Sequence, residues 1–109
     1  MAFDENLAAR IRTALCRKKG VEEKKMFGGL GFLLNANMLV GVWKNSMIAR
    51  IGQEQADEAM LEPHVRPMDI TGRPMKGWIM VAAEGVADEG AVKDWVQRAV
   101  KFVGKLPAK

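Results

Sequence analysis

The stretch from Lys24 to Ile51 constrains the fold most. It is rich in Leu, Val, Ile, Phe and Met and is broken at Asn35-Ala36-Asn37 and Lys44-Asn45-Ser46. Apolar runs divided by such short breaks read as three strands joined by two tight hairpins. Connections of that length join antiparallel neighbours, because parallel strands need a crossover of about a dozen residues or more. Glycines 28, 29 and 31 interrupt the first strand, where missing side chains permit a bulge or a close backbone approach, so this strand is expected to bend.

Helical periodicity supplies the cover for such a sheet. Phe3, Leu7, Ala8, Ile11, Ala14 and Leu15 recur at helical spacing from Asp4 to about Lys18, with Asp4 as the expected N-cap and Gly20 as a stop. A short helix is predicted over Gln53–Glu62, ended by Pro63. The clearest helix carries Val92, Trp95, Val96, Ala99, Val100, Phe102, Val103 and Leu106 on one stripe, with Asp88 as its N-cap. Lys93, Asp94, Arg98, Lys101 and Lys105 lie off that stripe. Pro67, Gly72, Pro74 and Gly77 mark a loop or sheet edge before a continuous apolar run, Trp78–Ala83, that suits a buried strand. The order predicts one α+β domain spanning residues 1–109, a two-layer fold with an antiparallel sheet in the order α-β-β-β-α-β-β-α.

The chemistry-bearing residues do not assemble by spacing into a reactive site. One cysteine, Cys16, and one histidine, His64, exclude an intrachain disulfide and the usual four-ligand zinc site, so no metal and no cofactor are expected. Phe27-Gly28-Gly29-Leu30-Gly31 is followed by more strand and not by the helix N-terminus that a phosphate loop requires, so it reads as backbone geometry. His64 has no nucleophile or carboxylate placed beside it by spacing and reads as a loop histidine. Cys16 stands among Arg12, Arg17, Lys18 and Lys19, surroundings that favour thiolate, yet no second cysteine can resolve an oxidised form. Glu22-Glu23 and Asp57-Glu58 read as solvated charge. The expectation is a protein that is not an enzyme and has no catalytic residue.

Charge points instead toward macromolecular contact. Seventeen bases against thirteen acids give a net charge of +4. The basic excess sits at the two ends, +3 over residues 1–25 and +4 over residues 93–109, whereas Gln53–Glu62 alone carries −4. Basic terminal helices would attract phosphate backbones, so direct DNA or RNA binding is an alternative function, although no recognition motif accompanies them. No apolar run approaches the length of a membrane span and the start of the chain is acidic, so a cytoplasmic protein is expected. Eight methionines are many for this length, and Met26, Met68 and Met75 flank the glycine and proline motifs, where an adaptable surface can dock a partner.

Two segments carry a resemblance. Lys25-Met26-Phe27-Gly28-Gly29-Leu30-Gly31-Phe32 with the following Met38-Leu39-Val40 strand resembles the N-terminal domain of the TfoX/Sxy family. The stretch from Glu62 to Trp78, Glu-Pro-His-Val-Arg-Pro-Met-Asp-Ile-Thr-Gly-Arg-Pro-Met-Lys-Gly-Trp, resembles that family's hallmark, and the two occur in the expected order. The resemblance implies a bacterial cytoplasmic protein. Its longer members regulate natural competence and are thought to act as coactivators with the cyclic-AMP receptor protein. Those members carry a second, C-terminal domain, whereas the resemblance of this sequence is to the N-terminal one.

The positions that carry over are Met26, Phe27, Gly28, Gly29, Gly72, Pro74, Gly77 and Trp78 as a structural motif, with glycines for bends and prolines to pre-set the loop. Arg66, Pro67, Met68, Arg73, Met75 and Lys76 form the expected partner-binding segment. Two guanidiniums there require anions, either neighbouring carboxylates such as Asp69 or a partner's acidic surface. The function expected from these features is that of a regulatory adaptor binding a transcription factor or RNA polymerase component. Homodimerisation through a sheet edge or a methionine-rich face is a further expectation.

Overall fold

The computed structural model describes residues 3–26, 29–68 and 76–107, with the backbone alone for Met26. Six strands make one sheet: β1 (Val21–Met26), β2 (Gly29–Leu34), β3 (Asn37–Trp43), β4 (Ser46–Arg50), β5 (Val65–Pro67) and β6 (Trp78–Val81). Three α-helices accompany them, α1 (Glu5–Ala14), α2 (Gln53–Ala59) and α3 (Glu89–Val103), and a 3-10 turn covers Ala83–Val86. The spatial order is β1-β2-β3-β4-β6-β5, antiparallel throughout, so the fold is α+β as the periodicities required.

The apolar stretch holds one strand more than its composition predicted. Met26 pairs with Gly29, so the expected bend is a complete reversal between β1 and β2. The charged sequence Val-Glu-Glu-Lys-Lys-Met conceals β1, but at a sheet edge such charges suit a strand because they discourage pairing with a second chain. The β2–β3 hairpin closes through Asn35 (φ 51°) and Ala36 (φ 68°) between the partners Leu34 and Asn37. Two consecutive left-handed residues match the twist of the flanking strands. In the β3–β4 hairpin Lys44 takes φ 56°, and its carbonyl accepts a hydrogen bond from the Asp4 N–H at 2.6 Å, which ties the start of the chain to this turn.

Caps fix the helices where the sequence placed them. The Asp4 carboxylate accepts from the N–H groups of Asn6 (2.9 Å) and Leu7 (3.2 Å), and Asp88 accepts from Ala91 N–H at 2.6 Å. Gly20 is left-handed at φ 82° but does not end α1, which closes at Leu15; Gly20 instead leads into β1, its carbonyl accepting from Asn35 N–H.

Alternation along the strands divides the side chains between two faces. Leu30, Phe32, Leu34, Val42, Met47, Ala49, Ile79 and Val81 turn toward Leu7, Ile11, Trp95, Val96, Ala99 and Val103 of α1 and α3, forming the main core. The pairing shifts by one residue at Leu39, a bulge that lets both Leu39 and its neighbour Val40 enter this core. On the other face Ile48, Met68 and Met80 form a second, smaller cluster, with Trp43 and Trp78 packed against it. Each large apolar side chain so hidden contributes about 1.5–3 kcal/mol.

Candidate interaction site

The segment expected to bind a partner begins on β5, at the sheet edge beyond β6. Arg66 and Pro67 are exposed, and Lys76 is exposed where the described chain resumes. Arg73, Met75, Gly72, Pro74, Phe27 and Gly28 lie outside the described residues. Arg66 stands opposite Met80, and its Nη2 lies 3.3 Å from the Met80 sulfur. Among the described residues no carboxylate pairs with it.

Met68 departs from the expected docking surface. Its side chain is fully buried, at 0% exposure, against Ile48 and Met80. The apolar thioether that follows two exposed residues is drawn under the sheet by the apolar surface of β4 and β6, so it anchors the segment and does not face a partner.

Edge geometry limits how a partner can approach. Ala82 N–H donates to the His64 carbonyl at 2.8 Å, which makes His64 and Ala82 a hydrogen-bonded pair. By antiparallel alternation the next such pair is Arg66 with Met80, so the backbone nitrogen of Pro67 points away from β6. Proline has no N–H to offer there, so strand addition along β5 lacks a donor at the strand's last residue.

Of the expected structural motif, Gly29, Gly77 and Trp78 are among the fully described residues. Gly77 adopts φ 85°, and its carbonyl accepts from both Ile51 N–H (3.0 Å) and Gly52 N–H (3.1 Å), fixing the start of β6 against the end of β4. Trp78 is half-buried, and the Arg50 guanidinium lies 5.8 Å from its ring centre. Gly29 is buried so closely against β3 that an added Cβ would collide with the Val42 carbonyl oxygen.

Several basic side chains are engaged within the chain. Arg10 donates to the carbonyls of Val86 (3.3 Å) and Ala87 (2.8 Å), joining α1 to the approach of α3. Arg12 makes a two-pronged pair with Glu23 of β1, at 2.7 and 2.8 Å. The hydrogen bond from Arg12 holds the Glu23 carboxyl below its usual range and raises the guanidinium further. Arg98 pairs with Glu62 at 2.6 Å and Asp94 at 3.0 Å, lies 4.3 Å from the Trp95 ring centre, and has its pKa raised mainly by the Glu62 bond.

Neither lone nucleophilic or titratable residue gains a reactive setting. His64 takes φ 68°, with Nδ1 3.9 Å from Glu84 Oε2 in an exposed pair that sequence spacing did not foresee. Cys16 is exposed just past α1 and lines a crevice of about 370 Å³ with Arg17 and Lys93. Among the described residues there is no cluster of three metal-ligating side chains and no helix long and apolar enough to cross a membrane. One feature escaped the sequence reading, a groove of about 560 Å³ between α2 and α3 lined by Phe102, Lys101 and Lys105. The single apolar stripe assigned Phe102 to the core, whereas it sits half-buried at the core's margin.

Helices layered on an antiparallel sheet, with an arginine-proline edge segment anchored by a buried methionine, define a small α+β domain of the kind the element order predicted. The chain belongs to the TfoX N-terminal domain family, whose pattern it matches over residues 13–103. Comparison with curated proteins and with solved structures gave no match.

Proposed function

We propose that this protein is a non-enzymatic regulatory adaptor of the bacterial cytoplasm, which contacts a transcription factor or RNA polymerase component through the segment from Arg66 to Lys76. The observation that carries the reading is Arg66: an exposed guanidinium on an edge strand, with a sulfur at 3.3 Å and no carboxylate pairing with it among the described residues. A guanidinium so placed offers two-pronged recognition of a carboxylate on another surface. Family membership supports the regulatory part of the reading. Lys76 adds a second exposed cation at the other end of the segment.

Direct nucleic-acid binding by the terminal helices is the competing reading. Arg10, Arg12 and Arg98, three of the cations it would draw on, are bonded to groups of the same chain. The test measures binding of purified cyclic-AMP receptor protein and of RNA polymerase to the wild type and to Arg66→Ala plus Arg73→Ala. The adaptor reading expects binding to one of them and a loss of about tenfold or more in the variant, the weight of a charge-assisted bond. Equal affinity of the two forms counts against the segment. Duplex DNA bound with a steep salt dependence in place of either protein counts for the competing reading.

A further inference from the structure

The groove between α2 and α3 combines features that the adaptor reading does not use. Its volume of about 560 Å³ falls in the range of small-molecule sites. The floor is apolar and firmly held. Ile51 and Gly52 are pinned by the two hydrogen bonds to the Gly77 carbonyl, and the Phe102 ring lies against Gly52 so closely that an added Cβ would stand 2.7 Å from it. Gly52 itself takes φ 89°, so both the conformation and the close approach call for glycine. The Arg50 guanidinium lies 5.9 Å from the centre of the Phe102 ring.

The walls are polar and of one predominant sign. Lys101 in the last turn of α3 and Lys105 just beyond its end are both exposed, and neither is paired with a carboxylate among the described residues. Arg98, at the same wall, is already occupied by Glu62 and Asp94. Across the opening Gln53 and Gln55 bring amides, and Glu54 is the one acid of the lining. An occupant must therefore present negative charge to the two lysines and a flat apolar surface to Phe102.

We propose that this groove binds a small organic anion, one that joins a flat apolar body to a phosphate, sulfonate or carboxylate group. The apolar body lies on Phe102 over Gly52, and the anionic group bridges Lys101 and Lys105. The site is independent of the Arg66 segment, so either proposal can fail without the other.

The experiment is an amide NMR titration of the full chain with four probes: 1-naphthyl phosphate, inorganic phosphate, neutral 1-naphthol and a single-stranded oligonucleotide. Expected is saturable binding of 1-naphthyl phosphate with Kd below about 1 mM, with the largest shifts at Gly52, Gln53, Lys101 and Phe102. Inorganic phosphate and 1-naphthol should each bind about tenfold or more weakly, since each lacks one of the two contacts. Lys101→Glu plus Lys105→Glu, at exposed positions that leave the core intact, should weaken 1-naphthyl phosphate about tenfold or more. Arg66→Ala should leave it unchanged. The proposal is overturned if 1-naphthyl phosphate binds no better than inorganic phosphate, if charge reversal has no effect, or if the shifts lie elsewhere. It is equally overturned if the oligonucleotide binds the same residues far more tightly with a steep salt dependence, which would make the groove part of a polyanion surface.

Discussion

Replacing Ala36 by glycine should stabilise the protein, the reverse of what this substitution does at most positions. In a helix or strand, Ala→Gly costs roughly 0.5–1 kcal/mol, because glycine loses more backbone freedom on folding. Ala36, however, sits exposed at φ 68° in the two-residue turn between β2 and β3. There its Cβ crowds the following carbonyl oxygen at a cost of about 1–2 kcal/mol. Glycine removes that strain and surrenders no packing. Subtracting the entropic loss leaves a gain of about 0.5–1 kcal/mol, and asparagine followed by glycine is the pair such a turn favours. Urea unfolding followed by tryptophan fluorescence should show the midpoint rising by about 0.5 M, for a slope near 1.5 kcal/mol/M. Ala99→Gly serves as the control. Fully buried inside α3, it should lose about 2 kcal/mol from helix propensity and a lost methyl together. A lowered midpoint in Ala36→Gly would refute the assignment of left-handed strain to this turn.

Gly29→Ala should lower the melting temperature by roughly 5–15 °C, because a Cβ directed at the Val42 carbonyl forces β2 and β3 apart at a cost of about 1–3 kcal/mol; calorimetry showing no change would remove the close-approach argument. Met68→Ala should cost about 2–5 kcal/mol and alter the near-ultraviolet dichroism of Trp43 and Trp78, which share its cluster. An unchanged spectrum and stability would return Met68 to the surface. The Arg12–Glu23 pair is partly exposed and is worth about 0.2–1 kcal/mol. Because the folded state depresses the Glu23 pKa, that stabilisation is present above the ordinary carboxylate range and is lost as pH falls through the folded value. The stability gap between wild type and Glu23→Gln should therefore close in acid, and a gap constant from about pH 7 to pH 3 would contradict the pairing.

Periodicity made most of the architecture legible. The stripe of Val92, Trp95, Val96, Ala99 and Val103 reads directly as the buried face of α3, and Asp4 and Asp88 cap the helices they were expected to cap. What escaped was set by context. Four of the six residues of β1 are charged, and its strand conformation comes from pairing with β2, not from its own preference. Met68 was expected at a docking surface because it flanks the proline motif, whereas its burial depends on Met80 from the next strand and on Ile48 from another hairpin. The closeness of His64 to Glu84, and of Lys101 and Phe102 to Gly52, is likewise a product of the sheet order and has no local signal.

That sheet order also bears on synthesis. The strand between β4 and β5 is β6, the last to emerge from the ribosome, so β5 has nowhere to dock when it first appears. At about 5–20 residues per second, the interval between Pro67 and Val81 lasts on the order of one to three seconds. Throughout it the nascent chain presents the bare margin of β4, with Met47 and Ile48, to whatever else is in reach.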